Sequence, residues 1–190
     1  MTAPLKIGIV CTSALILFAA CQRAPRTGGA QREAGVQAAR AELKNANGDI
    51  VGEATFTQTP AGVAIQMTAN NLPPGMHGVH IHEKGACDAP GFESAGEHFN
   101  PGGKHHGDLN PQGPHAGDLG NMVVNAQGVG NLETVNKNVT LWTGDNSLLR
   151  AGGTSLMIHA GEDDRKTDPS GNSGARIACG VITEAAHTTS

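Results

Sequence analysis

His80-Ile81-His82 lies in a run that alternates like a β-strand. Residues two apart on a strand face the same side with Cα atoms ~7 Å apart, so both imidazoles can reach one ion. Further along, His98, His106, His115 and Asp118 fall in a Gly/Pro-rich stretch able to wrap three nitrogens and one carboxylate around a second ion. Three nitrogens and an oxygen in a tetrahedron suit zinc, which has no geometric preference of its own. His159 closes another strand-like run and adds an imidazole to the His80 pair. Four imidazoles with one face open suit copper and leave room for a small ligand. Two four-coordinate ions need one donor more than these residues supply, so one residue must be shared, and an imidazolate can serve through both ring nitrogens. His98, first in the loop and nearest in sequence to the His80 pair, is the natural bridge.

Such donors need a rigid frame. With 27 Gly, 10 Pro, one Trp and no Tyr among 190 residues, the chain favours turns and short extended segments over helices, around a core of small and aliphatic side chains. Its length suits one domain and an appendage. Apolar residues alternate at Ile50, Gly52, Ala54 and Phe56, then at Val63, Ile65, Met67 and Ala69, as in half-buried strands. Asn47-Gly48, Pro60-Ala61-Gly62 and Pro73-Pro74-Gly75 supply turns. Further strands are expected over residues 78–83, 122–124, 129–134, 139–143, 154–159 and 176–183, a spacing that favours an antiparallel sandwich or flattened barrel. Two segments break the rhythm, 85–120 and 160–174, and long loops of this kind are functional or disordered.

Residues 1–20 read as an export signal, Lys6 leading an apolar run over 7–20 too short to span a bilayer comfortably. Leu17-Phe18-Ala19-Ala20-Cys21 resembles a bacterial lipobox, which would make Cys21 a lipidated mature N-terminus; an ordinary cleaved signal is the alternative. Residues 21–40 read as a flexible basic tether, with a short helix as an option, and 41–190 as the folded domain. The domain holds 8 Lys plus Arg against 16 Asp plus Glu, a net charge of -8 that disfavours nucleic acid as a partner.

Four stretches carry a specific resemblance: Gly78-Val79-His80-Ile81-His82-Glu83, Ser94-Ala95-Gly96-Glu97-His98-Phe99-Asn100-Pro101, Gly113-Pro114-His115-Ala116-Gly117-Asp118-Leu119-Gly120-Asn121 and Gly174-Ala175-Arg176-Ile177-Ala178-Cys179-Gly180-Val181-Ile182. In type and order they resemble copper/zinc superoxide dismutase, over residues 41–183. The resemblance implies an all-β fold, an eight-stranded Greek-key β-barrel. It implies one copper per subunit at His80, His82, His98 and His159, and one zinc at His98, His106, His115 and Asp118. His106, six after Asn100 and followed by Gly107, matches the family position, with His105 as the alternative. Asp163 matches an aspartate that orients one ligand of each ion, here His80 and His106. His77, His105 and His187 match no ligand position.

No C-x-x-C occurs, and by resemblance Cys87 and Cys179 form a disulfide, which an exported protein permits. The implied activity is dismutation of superoxide to oxygen and hydrogen peroxide by alternating reduction and oxidation of copper. His98 would open on the copper side and carry a proton, and Arg176 would guide the anion, helped by Lys166. The rival reading is a non-catalytic copper/zinc store in the cell envelope. Periplasm, a lipid anchor on the outer membrane, or secretion all fit the export signal, the membrane being met only through that lipid. A homodimer has no sequence signature here.

Overall fold

The strands are built from small or branched residues that alternate with polar ones, and they wrap around one core. The structure, a computed structural model, describes residues 1–2 and 38–186. The expected signal, Cys11, the lipid site at Cys21, the tether up to residue 37 and His187 lie outside the described residues. The strands are β1 (Ala38–Asn45), β2 (Ile50–Thr59), β3 (Gly62–Ala69), β4 (Gly75–His82), β5 (Asp118–Val124), β6 (Gly130–Asn136), β7 (Ser155–His159), β8 (Arg176–Val181) and the two-residue β9 (Thr183–Glu184). Hydrogen-bonded neighbours run β2-β3-β6-β5-β4-β7-β8-β1, and β1 also pairs with β2, which closes eight antiparallel strands into a barrel. Two crossover connections, from β3 to β4 and from β6 to β7, place β3 beside β6 and β4 beside β7 and give the Greek-key order expected of the family. Among the described residues the one helical turn is a 3-10 turn at Glu93–Ala95.

The interior is lined by Leu43, Ala54, Phe56, Ile65, Val79, Ile81, Leu156 and Ile158 among others, all buried. On β4, Val79 and Ile81 point into this core, so the pleat turns His80 and His82 to the outer face. Those histidines are nevertheless buried, because the long loops 83–117 and 160–175 fold back over that side of the barrel.

Three departures from the sequence reading have local causes. Ile50 is 59% exposed and Val51 is buried, since Leu43 pairs with Gly52 while Lys44 pairs with Ile50. Val51 is the extra residue of a bulge, and the inward phase slips by one there. Residues 139–143 form no strand: Gln58 Oε1 accepts Leu141 N–H at 2.7 Å and the Thr140 hydroxyl at 2.8 Å, so a side chain stands where a neighbouring strand would. Val139 and Leu141 are buried all the same, and their alternation mimicked a strand. Finally, residues 38–45 form β1, with Ala39, Ala41 and Leu43 facing in; two of the three are alanines, a weak apolar signal beside a polar stretch.

Candidate metal centre

The β4 ladder fixes the first imidazoles. His80 lies opposite Met157 and His82 opposite Ser155 on β7, while His159 ends β7 opposite Arg176 on β8. His98 joins them through a bridge to His82. One donor atom from each of His80, His82, His98 and His159 lies within 4.8 Å of the others, and all four residues are buried.

Hydrogen bonds decide which nitrogen each ring presents. A carbonyl or carboxylate oxygen can only accept, so the nitrogen facing it carries the proton and the other keeps its lone pair. His82 Nδ1–H donates to Gly96 O at 2.9 Å and His159 Nδ1–H to Gly174 O at 3.1 Å. Their Nε2 atoms turn to each other, 3.4 Å apart. His80 Nε2–H donates to Asp163 Oδ2 at 2.8 Å, leaving Nδ1 as its donor.

The second set sits on the loop. Asp118 Oδ1 lies 3.0 Å from His98 Nδ1, 3.1 Å from His106 Nδ1 and 3.3 Å from His115 Nδ1, with His98 Nδ1 and His115 Nδ1 3.4 Å apart. A tetrahedron with metal–ligand bonds of ~2.0–2.1 Å has edges of ~3.3 Å, and these four separations are close to that length. The donors that all lie within 4.8 Å of one another on this side are those of His80, His98, His106 and Asp118, with His115 reaching Asp118; His80 Nε2–H is taken by Asp163, so His80 has one nitrogen left to offer. Asp118 Oδ2 accepts the N–H groups of Gly107 and His115, at 2.8 and 2.9 Å, which aims Oδ1 at the imidazoles.

His80 Nδ1 and His98 Nε2 are buried and make no hydrogen bond, while His106 Nδ1 is buried facing Asp118 Oδ1. Desolvated lone pairs that converge in this way are costly unless a cation meets them, so the donor chemistry fits two metal ions. His98 is the ring with a nitrogen in each set, Nδ1 beside Asp118 and Nε2 toward the other imidazoles.

Charge differs between the two sets. Burial lowers His80 to about 3, His82 to about 2 and His159 to about 4, so these rings are neutral at any ordinary pH. Burial works to lower His106 too, but Asp118 and Asp163 outweigh it and raise His106 to about 10. Both carboxyls in turn are held well below their usual range: burial opposes this, and the hydrogen bonds from the histidines prevail.

Asp163 spans the sets, accepting His80 Nε2–H through Oδ2 and His106 Nε2–H, at 2.9 Å, through Oδ1. Gly171 seals it, since a Cβ there would lie 1.8 Å from Asp163 Oδ1. Asn121 grips its backbone, donating to Asp163 O and accepting Asp163 N–H, each at 2.8 Å. Asn121 closes one of the quoted motifs, so its position was visible in the sequence while its task was not. Arg176 donates from Nη1 to Phe92 O at 2.7 Å and from Nη2 to Gly96 O at 2.8 Å. The latter oxygen also takes the His82 proton. Cys87 and Cys179 form the expected disulfide, and they pack with Phe92, Ala95 and Met157 beneath the segment that supplies these carbonyls. Of the other histidines, His77 is buried with its nitrogens on His159 O and Pro73 O, and His105 is exposed and paired with Asp168. Lys166 is exposed on the second loop.

A closed antiparallel barrel whose outer face carries two donor sets joined through one imidazole defines a metal-binding β-barrel protein. Residues 50–182 match the family described as copper/zinc superoxide dismutase (SODC). The chain is 51% identical over 146 residues to superoxide dismutase [Cu-Zn] 2 of Aquifex aeolicus, covering 76% of this chain and 85% of that one. It is 42% identical to superoxide dismutase [Cu-Zn] of Caulobacter vibrioides, covering 76% and 84%. The crystal structure of a double mutant of a SOD-like protein from Bacillus subtilis superposes with a TM-score of 0.73 at 45% identity, covering 75% of this chain and 95% of that one. The chain belongs to the copper/zinc superoxide dismutase family, whose cofactors are copper and zinc.

Proposed function

We propose that the chain dismutes superoxide to oxygen and hydrogen peroxide, with copper held by His80, His82, His98 and His159 and zinc by His98, His106, His115 and Asp118. The observation that carries this reading is the position of His98, one nitrogen in each donor set. When bound, copper supplies the one-electron exchange by which two superoxide anions and two protons become one oxygen and one hydrogen peroxide, while zinc adds fixed charge without redox chemistry. His98 Nε2 takes up and releases one of those protons. Asp163 keeps the His80 and His106 rings turned toward their ions.

Arg176 receives the anion. Its bonds to Phe92 O and Gly96 O use two of the five N–H groups of a guanidinium, and the rest remain for a ligand beside the copper set. The field of Arg176 contributes to the lowering of His82 and His159, behind burial, so its charge is felt at that set. A body of net charge -8 repels anions elsewhere, which focuses their approach on this spot, with Lys166 adding to the field.

The domain works outside the cytoplasm, in keeping with its disulfide. Residues 1–20 would direct export, Cys21 would carry the lipid, and the segment from residue 21 to the start of β1 at Ala38 would tether the barrel in the periplasm or at the outer membrane. Pairing as a homodimer belongs to the same proposal. Pulse radiolysis of the copper- and zinc-loaded protein tests the activity: rapid second-order loss of superoxide supports it, and decay at the rate of free buffer leaves only a metal store.

A further inference from the structure

Two consecutive histidines, His105 and His106, compete for one direction. His106 is fully buried, whereas the side chain of His105 is 51% exposed. Asp168, on the loop 160–175, touches both: Oδ1 accepts the His106 N–H at 2.5 Å, and Oδ2 meets His105 Nδ1.

Neighbouring residues of an extended chain point to opposite sides. A rotation of the peptide between them would exchange those directions and offer the wrong imidazole to zinc. Slippage of the whole loop by one residue is blocked in another way. It would put His106 at position 107, where φ is +86° and a Cβ would lie 1.9 Å from Arg165 O. Local rotation escapes that block, although its flanks are anchored: Asn100 brackets the Lys104 backbone, His105 N–H bonds Gln112 O, and Gly107 N–H bonds Asp118 Oδ2. The His106 N–H between these anchors goes to Asp168. Asp168 is itself fixed by the turn before it, where Asp164 accepts the N–H groups of Lys166 and Thr167 and the amide of Asn172.

We propose that Asp168 is a positioning residue that selects His106 over His105 for zinc, pinning one imidazole inward and drawing its neighbour out. This rests on the zinc assignment above. The test loads the metal-free full chain with one equivalent of Co(II), whose visible bands report donor number and geometry. His106→Ala should lose the tetrahedral spectrum of the parent; a spectrum unchanged in that variant overturns the zinc assignment itself. With that assignment standing, Asp168→Ala should give a mixed spectrum and a Co(II) affinity lower by ~10-fold or more, the range for groups that orient metal ligands. Asp168→Asn keeps an acceptor for the His106 N–H and should stay close to the parent. Asp168→Ala with His105→Ala should restore a single spectrum, because only one imidazole can then answer. A parental spectrum in Asp168→Ala overturns the selection, as does a double variant as disturbed as Asp168→Ala.

Discussion

The two halves of the metal centre are built on opposite plans. On the side proposed for copper, three of the imidazoles stand on β4 and β7, where the ladder sets their spacing, backbone carbonyls set two of their tautomers, and burial keeps them neutral. On the side proposed for zinc, the donors come from a loop and the start of β5, and a web of carboxylates holds them, with His106 raised to about 10 between Asp118 and Asp163. The copper half is shaped by the fold before any ion arrives. The zinc half is held by charge, with His106 set between two carboxylates.

Asp163→Ala breaks that contrast most severely, since Asp163 is the one carboxylate serving both halves. Zinc affinity should fall by ~100-fold and copper affinity by less than ~10-fold, measured by chelator competition, because the copper half keeps its ladder. Equal losses would mean that both halves depend on the carboxylate alike. Arg176→Ala should spare both metals and lower kcat/KM by ~10-fold or more at low ionic strength; a variant as fast as the parent removes Arg176 from the anion path. Asn121→Ala, which frees the Asp163 backbone while leaving its carboxylate, should weaken zinc by ~3- to 10-fold, less than loss of the carboxylate itself. Zinc binding unchanged in that variant would show that Gly171 and the histidines suffice to aim Asp163.

A gentler effect separates the halves by pH. In the metal-free protein His80, His82 and His159 have lowered values, so the unfolded chain binds more protons below about 6.5, and stability falls as pH drops from there toward about 3. His106 is raised, so its contribution is complete below 6.5 and disappears as pH rises through about 10. Melts of chelated protein should therefore lose ~10 °C or more between pH 7 and pH 4, and a smaller amount between pH 8 and pH 10. His106→Ala should abolish the alkaline loss and keep the acid one. A melting temperature flat down to pH 4.5 would contradict neutral, desolvated imidazoles on the copper side.

The same division explains what could be read from the sequence. His80 and His82 were legible because period two is a local property, and β4 puts them on one face as alternation requires. The loop residues became readable together only through the family resemblance, since no periodicity says where His98, His106 and His115 meet. Residues 139–143 misled because burial alternates there without a partner strand. β1 is faint in the sequence because Ala39 and Ala41 carry little apolar signal. Donor atoms lay beyond reach: the choice of Nδ1 for His80 and Nε2 for His82 depends on Asp163 and on Gly96 O, each distant in sequence from the ring it serves. The work of Asn121 and Asp168 was hidden for a like reason, as both act on backbone of another loop.

The Gly96 carbonyl that accepts from both His82 and Arg176 behaves like the pivot of a pair of tongs. His82 and Arg176 cannot drift apart without straining that single atom. The two side chains are thereby geared together, and a disturbance of the disulfide-bearing segment should register at both in the same instant.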